Sequence, residues 1–144
     1  MKQVIFILLM ATAVLLTACG AKTETTNTKA ELSLTATDIA FDTNRLEVKA
    51  GEQVHVTLHN EGVLEHDFSI MKMPHTGDVM AEESEHGMGH DMSSMSMEPE
   101  IHVAAPTGES LSVEFTPSTP GEYEFFCTVA GHKEAGMVGT LVVK

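Results

Sequence analysis

Hydrophobic and polar residues alternate along most of the chain, and this spacing predicts short β-strands. In "QVHVTLHN", Val54, Val56 and Leu58 share one face of a strand, while His55 and His59 share the other. Gly and Pro turns separate similar runs: "ELSLTAT", "IAFDTNRLEV", "EHDFSI", "IHVAA", "ESLSVEF", "GEYEFFCTV" and "GMVGTLVVK". No segment has a convincing amphipathic helical period. The pattern therefore predicts an all-β fold, an antiparallel Greek-key sandwich or barrel of seven to eight strands.

One long segment lacks this period. Residues 71–100 contain seven of the ten Met and three His, with seven acidic residues against one Lys. We interpret the segment as a Met/His-rich acidic loop inserted into a single domain that covers residues 31–144.

The N-terminus has the features of an export signal. Lys2 precedes an apolar run, Val4 to Leu16, which is too short to be a permanent membrane span. The run ends in "LTAC", which resembles the signal of bacterial lipoproteins, in which the residue matching Cys19 receives lipid. This predicts a signal peptide at 1–18, a flexible polar tether at 19–30, and an extracytoplasmic domain held to a membrane by lipid. The alternative is an ordinary secretory signal with a chance Cys.

The lipid signal changes the interpretation of the two cysteines. If Cys19 carries lipid, Cys127 is the remaining thiol and has no partner for an internal disulfide. An unpaired thiol outside the cytoplasm is reactive unless something occupies it, and a metal would do so. A Cys19–Cys127 disulfide is the competing hypothesis.

The net charge limits the kinds of partner. The formal charge is −13, which argues against binding to nucleic acid or to an anionic membrane surface. It suits docking to a basic partner, and simple solubility explains it equally well.

The stretch "CTVAGHKEAGM" holds three potential metal ligands, with four residues between Cys127 and His132 and four between His132 and Met137. A thiolate, an imidazole and a thioether favour a soft or borderline metal over calcium, magnesium or manganese. Two His and one Cys in a trigonal arrangement, with a long axial Met, form a blue-copper site. A second His is therefore needed. A zinc enzyme would have no use for Met137.

Four histidines outside the insertion are candidates for that position. His55 and His59 lie on the outer face of a predicted strand, and His102 is interpreted in the same way. His66 differs, because "LEHDFSI" begins a strand after a turn and so places it at the end of the sandwich. Asp67, beside it, is expected to brace the loops through hydrogen bonds.

The two segments together resemble a known family. "GEYEFFCTVAGHKEAGMVGTLVV" resembles the copper loop of the cupredoxins, which include plastocyanin, auracyanin and halocyanin-like proteins, and "EHDFSI" resembles their strand-end motif with the other His. The resemblance covers about 31–70 and 101–144. It implies one type 1 copper with four ligands: His66, Cys127, His132 and Met137.

The resemblance also implies a function. A type 1 copper protein acts as a one-electron Cu(I)/Cu(II) carrier and changes no bond of a substrate, so an electron carrier is predicted rather than an enzyme. Electrons are expected to pass at His132, where small residues would form a flat docking surface for a redox protein, for example a basic cytochrome: Ala130, Gly131, Ala135, Gly136 and Val138.

The insertion suggests a rival function. Its second half could hold a further copper ion through soft and imidazole donors: His86, Met88, His90, Met92, Met95 and Met97. The protein would then be a copper-binding or copper-delivery lipoprotein. A disordered acidic loop and a flexible Met-rich partner surface are the alternatives for the segment. A metal-free interaction protein is a third hypothesis for the whole chain.

Overall fold

A computed structural model describes residues 29–85 and 98–144. This part of the chain contains ten strands and no helix, which confirms the predicted all-β fold. The strand count exceeds seven to eight because β2 and β6 have two residues each. The strands are β1 (Lys29–Thr37), β2 (Ala40–Phe41), β3 (Arg45–Val48), β4 (Gln53–Asn60), β5 (His66–Ile70), β6 (Met80–Ala81), β7 (Ile101–Ala105), β8 (Ser110–Phe115), β9 (Gly121–Phe126) and β10 (Val138–Val143).

The strands form two five-stranded sheets, in the orders β2-β1-β4-β8-β6 and β3-β10-β9-β5-β7. The prediction of antiparallel sheets needs one correction, because β1 pairs with β4 and β3 pairs with β10 in parallel. The cause is a crossing between sheets. β3 lies in the second sheet, so the chain returns to the first sheet in the same direction as β1.

The core lies between the two sheets. The alternation predicted for β4 is confirmed, because Val54, Val56 and Leu58 are fully buried. On the core side of the second sheet, the rings of Phe68 in β5 and Phe125 in the neighbouring β9 lie with centroids 5.2 Å apart. Burying one such side chain stabilises the fold by about 1.5–3 kcal/mol, so the core holds the ends of β5 and β9 in fixed positions.

The first part of the Met/His-rich segment is not a free loop. Met73 is buried, with 1% of its surface exposed, and β6 pairs with the edge of β8. The Thr76 N–H donates to the Thr116 carbonyl at 2.9 Å. Residues 71–85 therefore add a short edge strand to the first sheet, which the sequence pattern did not indicate.

Some predicted features lie outside the described residues. These are the signal at 1–18, Cys19, the tether up to residue 28, and the segment 86–97. Residues 29–85 and 98–144 contain no helix that is long and apolar enough to cross a bilayer.

Candidate metal centre

The sheet order brings the predicted ligands together at one end of the sandwich. His66 is the first residue of β5, and Cys127 directly follows β9. β5 and β9 are neighbours, with Ser69 paired to Phe126. In an antiparallel pair the start of one strand lies beside the end of the other, so the start of β5 lies beside the end of β9.

Backbone hydrogen bonds fix the loop between Cys127 and Met137. The Cys127 N–H donates to the Met137 carbonyl at 3.2 Å, and the Met137 N–H donates to the His132 carbonyl at 2.9 Å. Gly136 has a φ of +102°, a conformation that other residues rarely adopt, and this allows the chain to turn back before β10. The loop therefore holds three ligand residues by its own backbone.

Three donor atoms face one another in the interior. The Cys127 Sγ lies 3.9 Å from the His66 Nδ1 and 3.5 Å from the His132 Nδ1. Metal–nitrogen and metal–sulfur bonds of about 2.0 and 2.3 Å at a trigonal angle give a nitrogen–sulfur distance of about 3.7 Å. The three residues therefore fit one metal ion with no large movement.

Met137 completes the set. It has no exposed surface and belongs to the buried core cluster. Its backbone is bonded to both Cys127 and His132. His66, Cys127, His132 and Met137 thus form a type 1 copper-like site, as predicted from the sequence.

Burial controls the protonation of the site. Burial, aided by the nearby Asp67 carboxylate, raises the pKa of the Cys127 thiol to about 12. Burial and the neighbouring His132 lower the pKa of His66. At neutral pH the metal-free site therefore contains a protonated thiol and a neutral His66, so metal binding must release the thiol proton.

Asp67 braces the loop as predicted. Its carboxylate accepts the Thr128 N–H at 2.9 Å and the Thr128 hydroxyl at 2.7 Å. Asp67 Oδ2 also lies 3.6 Å from the Cys127 Sγ. Thr128 was missed at the sequence level, although a polar residue directly after the ligand Cys is a usable signal.

Gly62 is a second residue that sequence reasoning missed. A Cβ added here would lie 2.7 Å from the His66 Nε2 and 3.1 Å from the Thr37 carbonyl carbon. The imidazole of His66 can therefore occupy its observed position only because residue 62 has no side chain.

The other candidate histidines in the described residues do not belong to the metal cluster. On the outer face of β4, His55 contacts Glu114 at 3.0 Å and His59 contacts Ser110 at 2.8 Å. His102 contacts the Ser69 hydroxyl at 2.8 Å. The proposed secondary copper ligands, all within 86–97, lie outside the described residues.

The fold and the site define a cupredoxin-type copper protein, and comparison with known families agrees. Residues 18–144 match the family model of copper binding proteins of the plastocyanin/azurin type. The chain belongs to this family.

Similar proteins are known from bacteria and plants. The copper-resistant cuproprotein CopI of Pseudomonas aeruginosa is 31% identical over 130 residues, which cover 74% of this chain and 72% of that protein. Plastocyanin of Ginkgo biloba is 37% identical over 106 residues, covering 74% and 89%. The structure of reduced auracyanin from Roseiflexus castenholzii aligns with a TM-score of 0.60 at 20% identity, covering 81% of this chain and 98% of that chain, and so supports the fold.

Proposed function

We propose that the protein is a one-electron carrier, held outside the cytoplasm by lipid on Cys19. The observation that carries this proposal is the buried cluster of His66, Cys127 and His132 beside Met137, in a chain of the plastocyanin/azurin family. Copper bound there would supply a Cu(I)/Cu(II) couple. Electron transfer changes no bond of a substrate, so the proposal is a carrier and not an enzyme.

The protein surroundings suit rapid electron transfer. His66 and Cys127 are fully buried and His132 is 5% exposed, which excludes bulk water from the ligands. The ligands lie on two paired strands and a loop with internal hydrogen bonds. A fixed site of this kind needs little rearrangement when the charge of the metal changes.

A hydrophobic surface surrounds the copper end. Two loops meet beside His66, since the Glu61 N–H donates to the Ala36 carbonyl at 2.9 Å. These loops carry three exposed apolar side chains, which we call the copper-end patch: Ile39 (48% exposed), Val63 (75%) and Leu64 (51%). Of the five small residues proposed for docking on the adjacent ligand loop, Val138 is half-buried and four are exposed: Ala130, Gly131, Ala135 and Gly136.

Charge selects the partner that fits this surface. The chain has a formal charge of −13, and Asp38, Glu61 and Glu134 are exposed on the same loops. A basic redox protein, such as a basic cytochrome, would be attracted to this face, and salt would weaken the attraction.

The test of this docking surface is stopped-flow electron transfer from the reduced, copper-loaded full chain to an oxidised basic c-type cytochrome. We expect the rate to fall with increasing salt and to fall again in Val63→Gln and Leu64→Gln. Met80→Gln is the matched control, because Met80 is 56% exposed but lies on β6. Equal rates in all three variants would contradict docking at the copper-end patch.

A second candidate function is copper resistance through copper binding or delivery. Two similar proteins, from Pseudomonas aeruginosa and Rubrivivax gelatinosus, are named copper-resistant cuproproteins, with 31% and 34% identity to this chain. The Met/His-rich segment offers soft donors that suit Cu(I).

The two functions differ in copper stoichiometry. A deletion of the whole Met/His-rich segment would also remove part of the folded domain, because Met73 is in the core and β6 pairs with β8. We therefore propose Ser at all six donor positions of 86–97, with Met80→Ser as the control. A carrier keeps one tightly bound copper in both variants. A delivery protein binds additional Cu(I), which the six-residue variant loses and the control retains.

A further inference from the structure

The outer face of β5 carries buried polar side chains. Asp67 and Ser69 share this face, opposite His66 and Phe68, because side chains alternate along a strand. Both are fully buried. Ser69 is paired across the sheet with His102 of β7, which is partly exposed. We call Asp67, Ser69 and His102 the outer-face network.

The hydrogen bonds of this network run in one direction. The Ser69 hydroxyl donates to the Asp67 Oδ1 at 2.7 Å. The hydroxyl has one proton, which this bond uses. The Ser69 oxygen therefore accepts a hydrogen bond from the His102 Nδ1, which lies 2.8 Å away. His102 therefore carries its proton on Nδ1 and donates toward Ser69, and Ser69 donates toward Asp67.

The network ends at the metal centre. Asp67 holds the backbone and side chain of Thr128, the residue after the ligand Cys127. Its Oδ2 lies 3.6 Å from the Cys127 Sγ. A buried carboxylate so close to a metal-binding sulfur affects the site strongly, since charges interact more strongly in the interior than in water. The orientation of the Asp67 carboxylate therefore matters, and the Ser69 hydroxyl holds its Oδ1 oxygen, which also accepts the Thr128 N–H at 2.9 Å.

We propose that Ser69 and His102 are positioning residues of the copper centre, which orient the Asp67 carboxylate against Thr128 and so tune the reduction potential. The part that concerns the potential rests on the proposed copper function. The part that concerns the orientation of Asp67 applies equally to the metal-free protein.

Removal of the hydrogen-bond donor at Ser69 or at His102 is expected to lower the reduction potential. Without the Ser69 hydroxyl, the negative charge of Asp67 is less compensated beside the Cys127 sulfur. More negative charge near the site favours Cu(II) over Cu(I), so the reduction potential is expected to fall. Removing the His102 donor leaves the Ser69 bond weaker but present, so a smaller shift in the same direction is expected.

The experiment uses the full chain and the variants Ser69→Ala, His102→Phe and His102→Asn. Asn can keep a donor near the position of Nδ1. His59→Phe is the matched control, because His59 makes the same type of bond to Ser110, at 2.8 Å, on the other sheet. The reduction potential of the copper-loaded protein and the hydrogen exchange of the Thr128 amide in the metal-free protein are measured for each.

In Ser69→Ala we expect a lower reduction potential. We also expect the Thr128 amide to exchange about tenfold faster, which corresponds to a loss of about 1.4 kcal/mol of protection. In His102→Phe we expect smaller changes of the potential and of the exchange rate in the same directions. In His102→Asn we expect both to return toward the wild-type values. If Ser69→Ala does not fold, the two His102 variants decide. Values equal to those of His59→Phe in both measurements would overturn the proposal. If wild type forms no copper–thiolate site, the proposed function fails, while the exchange data still test the orientation of Asp67.

Discussion

At the scale of single residues, the Cys127 thiol is the group that its surroundings change most clearly. It is fully buried, and the Asp67 carboxylate lies 3.6 Å from its sulfur. Both features oppose ionisation, so the metal-free site keeps a proton that copper must displace.

This protonation predicts a pH dependence of the metal-free protein. The pKa of Cys127 rises from an ordinary value of 9.0 to about 12 on folding. Below about pH 9 the Cys127 thiol is protonated in both the folded and the unfolded chain, and its contribution to stability is fully present. Above it the unfolded chain loses a proton that the folded chain keeps, so the free energy of unfolding falls by up to about 1.4 kcal/mol per pH unit until about pH 12.

Denaturant titrations of the metal-free protein at about pH 8 and about pH 10.5 measure this loss. Other groups titrate in the same range, so Cys127→Ser is the control. We expect the wild type to lose more stability than the Ser variant between the two values. Equal losses would show that Cys127 ionises as freely in the folded protein as in the unfolded chain.

Gly62 is a residue whose role becomes visible only in three dimensions. In Gly62→Ala the new Cβ would lie 2.7 Å from the His66 Nε2, so the imidazole must move. We expect at least tenfold weaker copper binding and a loss of about 1–3 kcal/mol of stability.

Gly108→Ala is the control for a loss of stability that does not involve the metal centre. Gly108 has a φ of +77°, and a Cβ there has no neighbour within 4 Å. This control should lose stability, by about 1 kcal/mol, but keep its copper affinity. Copper titration and denaturant unfolding measure the two effects. Unchanged copper affinity in Gly62→Ala would contradict the importance of this contact.

At the scale of elements, alternating residues identified the long strands but not the edge strand β6. Two residues, Met80 and Ala81, are too few to show a period of two. Their pairing with β8 depends on tertiary packing, in which the buried Met73 anchors the segment. The parallel pairing of β1 with β4 also escaped prediction, because strand order is a property of the assembled sheet.

The two methionines of this segment should differ in their contribution to stability. Met73 is 1% exposed, whereas Met80 is 56% exposed. We expect Met73→Ala to reduce the free energy of unfolding by about 2–5 kcal/mol and Met80→Ala to change it by less than about 0.5 kcal/mol. Denaturant unfolding compares them directly. Equal effects would indicate that residues 71–85 do not pack on the sandwich in solution.

At the scale of the whole molecule, the metal centre was more predictable than the residues around it. Cys127, His132 and Met137 lie within one loop, so their spacing is visible in the sequence, and His66 follows from its place at the start of a strand. The bond between Ser69 and His102 depends on the register of β5 and β7, which no local pattern determines.

The copper–thiolate site is the central claim, and its most direct test is the visible spectrum of the full chain with one equivalent of Cu(II), beside Cys127→Ser. We expect an intense thiolate-to-copper band that disappears on reduction and is absent from the variant. A weak spectrum that the substitution leaves unchanged would contradict the claim. It would place copper away from Cys127 and favour copper handling over electron transfer.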